Sequence, residues 1–350
     1  MKKVFVLGAG ITGLVTAWKL AKAGHEVTLI EKENQVGGLA GTVEWDGFKF
    51  DHGAHNFHTK HLELINFYQE LLPEIFRERK NSVKLHIFGK LNKYPIVGAQ
   101  VFFALNFFTM VRAMISFLFA RTRAFLFGIP ETEHLDEWIT RRFGKVLYNI
   151  YFGPYLERVQ KKSAHLLSSD IGLKKIPIFS LRQYIKRELL GYSKFHPEDV
   201  NTYKTFYCVN GYGEFSNFFL GELRKMENVT IDLWSPVEEI ELTGTRMSVI
   251  RTKNRSYEVG DGDVISTLPL EVLINRIKNA NPALVESALK LEYTKMRFFL
   301  IKVKRPSVMG LSWVNFNDPR FPYYRVSEEV HGEFNMTPPG CTALCFEIPL

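Results

Sequence analysis

Gly8-Ala9-Gly10-Ile11-Thr12-Gly13 follows a short apolar run, Val4-Phe5-Val6-Leu7, and opens a stretch of helical spacing from Val15 to Ala23. Leu14, Ala17, Trp18 and Ala21 fall on one side of that helix, Gly24 stops it, and Val27 to Ile30 reads as a second buried strand. Strand, glycine turn, helix and strand together predict a tight βαβ-type unit in a parallel sheet. The three glycines have separate tasks in such a unit. Gly8 permits the tight turn, Gly10 lets the backbone approach a pyrophosphate, and Gly13 allows the helix to pack closely on the strand. The helix N-terminus, with Thr12 in its opening turn, then faces the phosphates with free N–H groups and the positive end of its dipole. Glu31 follows at the end of the second strand, 18 residues after Gly13, with Lys32 beside it. A carboxylate there accepts hydrogen bonds from a ribose hydroxyl and disfavours a 2′-phosphate, which argues against NADP.

The remaining sequence sets the frame around this unit. At 350 residues the chain exceeds one simple core and predicts two domains. Hydrophobic residues at 46% and charged residues at 23% are the balance of an ordinary globular protein. Cys208, Cys341 and Cys345 form no C-x-x-C pair, so neither a structural zinc nor a disulfide framework is implied, and a reducing, cytoplasmic compartment is expected. Met1-Lys2-Lys3 leads straight into a strand, so no signal peptide is expected. The net charge of +8 raises nucleic acid or an anionic membrane as partners. With Lys and Arg read as spread along the chain and no RNP-like or helix-turn-helix pattern, no nucleic-acid partner is expected. The basic surface points instead to an anionic substrate or a membrane face.

Past Tyr94 the composition turns to long aromatic and aliphatic helices, with further helical stretches at 135–160 and 180–190. Strand-like segments return at Thr230–Leu233, Arg246–Thr252 and Asp263–Ile265, and the last 50 residues alternate, as in Arg297–Val303 and Ala343–Ile348. This order, β/α, helical, β/α and then β, predicts two domains each built from discontinuous segments. Ile96 to Phe127 is apolar enough to test against a bilayer. Arg112, Arg121 and Arg123 interrupt it, and its uncharged run to Val111 falls short of the ~20 residues a span needs. A pair of buried helices is the first reading. The second is a monotopic helix making peripheral contact, through 96–127, with the inner face of the membrane.

Beyond Glu31 the chain reads Lys32-Glu33-Asn34-Gln35-Val36-Gly37-Gly38-Leu39-Ala40-Gly41-Thr42. This resembles the E-x-x-x-x-x-G-G-x-x-x-T continuation of FAD proteins in the glutathione-reductase-like superfamily, and most of all the flavin amine oxidase, protoporphyrinogen oxidase and UDP-galactopyranose mutase branch. The resemblance implies FAD as cofactor, with Gly38 and Leu39 in the phosphate-side loop. Many amine oxidases have an arginine at the position of Leu39, so that contact is not carried over. Asp51-His52-Gly53-Ala54-His55-Asn56-Phe57-His58-Thr59 is similar to the segment that passes the isoalloxazine ring, and its G-A-H-x-F-H-T form is especially like UDP-galactopyranose mutase. There Gly53 would let the backbone approach the flavin, and His55 would hydrogen-bond near N5 or the substrate; a solvated loop histidine is the other reading. Asn210-Gly211-Tyr212-Gly213-Glu214 looks like the turn leading back into the FAD domain. Val237 stands where family members place a valine against the adenine, and Asp263–Pro269 resembles the strand-turn that closes that sheet.

The fold implied is α/β, or α+β over the whole chain. A glutathione-reductase-like FAD-binding Rossmann domain (1–80 and 206–270) is interleaved with a substrate domain that is mostly helical over 81–205 and a sheet over 271–350. The family usually continues with a late glycine-containing segment and a final helix, so the expectation is either a C-terminal truncation at Leu350, with weakened FAD retention, or a departure from these relatives. Two chemistries are implied. The first is an oxidoreductase like the amine and protoporphyrinogen oxidases, taking hydride from a substrate onto flavin N5. The alternative is a mutase-like sugar-nucleotide isomerase of glycan biosynthesis, which needs arginines to grip a diphosphate. Arg325, in Phe321-Pro322-Tyr323-Tyr324-Arg325, is similar to one of these arginines; a surface pair with Glu328 or Glu329 is its other reading. The second arginine is absent, because Lys175-Ile176-Pro177-Ile178-Phe179 carries Phe179 in its place. Gln160 and Lys161 likewise occupy the neighbourhood of an expected tryptophan. His55 and Arg325 are thus the candidate catalytic residues. The substrate expected is a small molecule, either hydrophobic or a sugar nucleotide.

Overall fold

The structure is a computed structural model and describes residues 1–59, 61–94, 105–175, 205–332 and 334–350. The helical reading of 180–190 and the motif positions 176–179 lie outside the described residues, as does 96–104.

Four parallel strands form the sheet that the glycine motif announces, in the order Asp263–Ser266, Lys3–Leu7, Glu26–Ile30, Val229–Asp232. Lys3–Leu7 lies inside it, with Val6 opposite Leu29 on one side and Ile265 on the other. A strand flanked on both sides and covered on both faces must be apolar throughout, and Val4 through Leu7 are all buried. The helix Ile11–Lys22 covers one face. Its buried residues Gly13, Leu14, Ala17, Trp18 and Ala21 recur at three- and four-residue spacing. It packs beside the helix Gly213–Arg224, where Trp18 meets Phe219 edge to face with ring centres 5.4 Å apart. The antiparallel strands Val237–Thr243, Arg246–Thr252 and Ser256–Glu258 close the other face, placing Ile240, Ile250 and Val259 against Phe5, Leu7 and Ile30.

A second sheet has six strands in the order Met296–Val303, Thr342–Pro349, Arg325–Val330, Trp313–Phe316, Val83–Ile87, Lys90–Lys93. All its pairings are antiparallel except Trp313–Phe316 with Val83–Ile87. Strands from the first third and the last sixth of the chain thus share one sheet.

The stretch 135–160 is not one helix. Leu135–Phe143 ends at Gly144, whose φ of 84° is open to glycine and costly for other residues. A Cβ on Gly144 would also stand 2.6 Å from the Ser116 carbonyl oxygen. After a wide turn at Tyr148–Phe152 the helix resumes as Gly153–Gln160. The described portion of the 96–127 stretch is a single helix, Phe107–Phe127, of which only Ala113 and Ala120 are buried. Within the described portion, the helix is therefore mostly exposed rather than buried.

Gly13 is the tightest packing point in the parallel-sheet unit. A Cβ there would lie 1.9 Å from the Gly8 carbonyl oxygen. Gly13→Ala should cost about 2–3 kcal/mol of stability through overpacking, read from urea unfolding at constant slope. An unchanged midpoint would show that the loop yields.

Candidate dinucleotide and substrate site

The glycines of the first loop are present for different physical reasons. Gly8 has φ +97° and donates its N–H to the Ile30 carbonyl (2.8 Å), so the turn itself requires glycine. Gly13 is required by packing. Gly10 is required by neither: its φ is −64°, accessible to any residue, and a Cβ added to it would have no atom within 4 Å. Gly37 and Gly38, at φ 110° and 55°, form a second turn set against the first. The Gly37 N–H donates to the Ala9 carbonyl (2.8 Å), and a Cβ on Gly38 would lie 3.5 Å from the Gly10 Cα. Two glycine turns thus flank one open, Cβ-free surface at the start of a helix that no side chain caps. Ser216, on the neighbouring helix, buries an unpartnered hydroxyl 3.1 Å from the position a Gly37 Cβ would take.

Glu31 is buried at the end of the second strand. Its carboxylate accepts from the Ala9 N–H (2.7 Å) and the Glu33 N–H (3.1 Å), which ties the glycine loop to the sheet. Lys32 points outward and pairs with Glu33 at 3.3 Å. Thr12 is exposed in the first helical turn, and Leu39 is 85% exposed beside the second glycine turn. Val237 is buried opposite Thr252. These groups fit a dinucleotide: open glycine backbone, free helix amides and a buried acid at the strand end.

The second cluster lies around the segment 51–55. Buried Asp51 accepts from the Thr42 hydroxyl (2.5 Å), the Tyr207 hydroxyl (2.5 Å) and the Tyr212 N–H (3.1 Å). His55 packs edge-on against Tyr212, with ring centres 5.1 Å apart, and both its ring nitrogens are buried without a partner. Orphaned buried nitrogens are costly in a finished core and common where a ligand completes the site. Burial depresses the His55 pKa; the nearby Arg325 and His52 push it the same way, against the opposing charges of Asp51 and Glu347.

Arg325 is largely buried, and its fork is filled. Its Nε and Nη2 donate to the two Glu347 carboxylate oxygens at 2.6 and 2.7 Å, Tyr324 donates its hydroxyl to Glu347 at 2.7 Å, and the Ala54 N–H donates to it at 3.1 Å. Glu347 is 1% exposed. The surface-pair reading of Arg325 is therefore corrected. Glu328 instead accepts from the amides of Met309 and Gly310, and Glu329 pairs with Arg79 at 2.7 Å. In this arrangement Arg325 keeps a raised pKa, because the Glu347 carboxylate outweighs the cost of desolvation. Tyr155 and Tyr94 stand within reach of its charge. Burial raises both hydroxyl pKa values, that of Tyr155 to about 12, so they are protonated donors at neutral pH.

Residues 6–71 match the NAD(P)-binding Rossmann-like domain family. The chain carries that domain. A 4,4'-diapophytoene desaturase (4,4'-diaponeurosporene-forming) of Staphylococcus aureus is 53% identical over 51 residues, which is 15% of this chain and 10% of that protein. The chain thus covers only a tenth of this curated relative. Among solved structures, a reduced UDP-galactopyranose mutase superposes with a TM-score of 0.82 at 18% identity, covering 100% of this chain and 75% of the mutase. A protein of Exiguobacterium sp. 255-15 assigned as a protoporphyrinogen oxidase superposes with a TM-score of 0.73 at 16% identity, covering 99% and 77%. Both expected fold relatives share this fold.

The structure therefore draws Gly8, Gly10, Gly13, Glu31 and Gly38 into one surface, and Gly53, His55 and Arg325 into another. Gly53 is held by φ +93° and by Phe298 and Glu347, which a Cβ would meet at 3.1 and 3.3 Å. Asp51, at the head of the segment 51–59, joins the second surface, and Glu347, Tyr94 and Tyr155 join it without a motif to announce them. The one available signal is Glu347 itself, a lone carboxylate within the otherwise apolar strand Thr342–Pro349.

Because folding lowers the His55 pKa, the unfolded chain binds more protons just below pH 6.5, so stability falls as pH drops from 6.5 toward the folded value. His55→Gln should flatten that limb in urea titrations between neutral and mildly acidic pH. An unchanged slope would place the titration elsewhere.

Proposed function

We propose that this chain is an FAD-dependent oxidoreductase of the amine oxidase and protoporphyrinogen oxidase kind, acting on a small molecule in the cytoplasm. The observation that carries the cofactor is Gly10, whose missing side chain serves neither the backbone nor the packing and so leaves room for a ligand. Residues 1–80 and 206–270 would form the FAD unit, and 81–205 and 271–350 the substrate unit. The loop residues Gly8, Gly10, Thr12 and Gly13 would meet the pyrophosphate, Glu31 and Lys32 the ribose, Gly38 and Leu39 the phosphate-side loop, Val237 the adenine, and Gly53 with His55 the ring. When bound, FAD supplies a hydride acceptor for a substrate C–H bond. The chain itself contributes placement and exclusion of water. Neutral His55 offers one donor and one acceptor, Tyr94 and Tyr155 offer hydroxyls, and Arg325 holds Glu347 and with it the Ala54 backbone.

Arg325 favours this reading over the isomerase, because a fork already filled by Glu347 is not free to grip a diphosphate bidentately. The mutase-like reading draws support from the tyrosine hydroxyls beside Arg325, which suit a sugar.

The test is to add FAD, remove the excess by desalting, and record the visible spectrum. The parent chain should keep a flavin spectrum. Gly10→Val should unfold at the same urea concentration yet lose the flavin, whereas equal retention would detach the cofactor from this loop. Anaerobic bleaching by amines or porphyrinogens would then support oxidation. Turnover of a sugar nucleotide only after flavin reduction would move the assignment to the isomerase.

A further inference from the structure

The helix Phe107–Phe127 turns one side inward and leaves the other unpartnered among the described residues. Ala113 and Ala120, two turns apart, are buried, and Ala113 packs with Leu147 and its partly buried neighbours Phe117 and Phe143. At 3.6 residues per turn, Phe107, Ile115, Leu118, Phe119 and Phe125 align on the opposite side, between 56% and 88% exposed. Arg112 and Arg123 fall along one edge of this stripe and Arg121 along the other.

The charge balance singles out the same region. The chain holds 45 Lys and Arg against 37 Asp and Glu, while residues 79–130 hold eight Lys or Arg and no acid. The rest of the chain therefore balances at 37 of each, and the whole net charge of +8 resides in this stretch. The basic excess is thus localised rather than spread.

We infer that this helix is a monotopic anchor, lying in the plane of a bilayer rich in anionic headgroups with its aromatic side in the acyl boundary and its arginines at the phosphates. No helix among the described residues is long and apolar enough to cross a membrane, so the helix lies along the surface. Its 21 residues extend about 31 Å at 1.5 Å each. Penetration of about 5–10 Å places the stripe in hydrocarbon and the flanking guanidinium groups in the headgroup layer. A second copy of the chain is the poorer occupant, because two such faces would bring their arginines together with no acid from 79 to 130 to offset them. The inference goes beyond the flavin chemistry and does not depend on it.

Flotation of the full chain with vesicles tests it. The protein should rise with phosphatidylglycerol–phosphatidylcholine vesicles, rise far less with phosphatidylcholine alone, and be partly released by high salt. Ile115→Glu with Phe119→Glu should cut the floated fraction about tenfold while circular dichroism and melting stay unchanged, since both side chains are exposed. Arg112→Gln, Arg121→Gln and Arg123→Gln together should abolish the preference for anionic vesicles. The inference is overturned if the parent stays in the bottom fraction with both vesicle types, or if the glutamate variant floats like the parent. It is also overturned if sedimentation shows a dimer that the same variant dissolves without any vesicle binding.

Discussion

The contact between Gly13 and the Gly8 carbonyl sets the geometry on which the parallel-sheet unit depends. The helix Ile11–Lys22 must leave the central strand within three residues and return across the sheet, and the only route brings its first turn onto the loop's own backbone. With 1.9 Å between a hypothetical Cβ and that oxygen, glycine is the one residue that allows the approach. The same approach aims the helix amides outward over Gly10. The packing solution and the binding surface are consequences of one constraint, because bringing a helix start close to a strand end exposes its free N–H groups at the sheet's edge.

A second constraint is electrostatic. Glu347 is buried in the middle of a sheet, where an unpaired carboxylate costs several kcal/mol. Arg325, Tyr324 and the Ala54 amide supply four hydrogen bonds to it, and they reach it from well-separated stretches of the chain. Asp51 acts in the same way at the head of the segment 51–55, collecting Thr42, Tyr207 and Tyr212. Buried charge of this kind contributes less to net stability than to uniqueness: removing any donor strands an acceptor, so the segment 51–55 has one well-satisfied position relative to the second sheet. That fixes His55, whose own nitrogens stay unsatisfied.

These two constraints differ in how far they can be read from sequence. The glycine loop is legible because its three glycines fall at fixed spacing between a strand and a helix, each answering a local demand of turn, packing or approach. Glu31 is legible for the same reason, its carboxylate bonding back to Ala9 and on to Glu33. The Glu347 network is not, because Ala54 and Glu347 are 293 residues apart and no periodicity links them. Similarity to a motif singles out Arg325, but sequence proximity points to the wrong partner, since Glu328 and Glu329 are near in the chain and make their bonds elsewhere. The break at Gly144 is hidden because helical spacing continues on both sides of it, and only the approach to Ser116 reveals the turn.

The filled fork of Arg325 bears on what the site can hold. A guanidinium recognises a phosphate strongly when two parallel N–H groups face it. Here Nε and Nη2 are spent on Glu347, with Tyr94 and Tyr155 within reach of the guanidinium charge. Releasing the fork would abandon a carboxylate that is 1% exposed, at a cost of roughly 3–5 kcal/mol that a ligand would have to offset before binding began. A neutral imidazole, protonated tyrosines and one edge of a cation make surroundings that orient a carbonyl, hydroxyl or amine against a fixed plane. Such a site selects by shape and hydrogen bonding more than by charge, which is what hydride abstraction from a largely uncharged molecule asks of it.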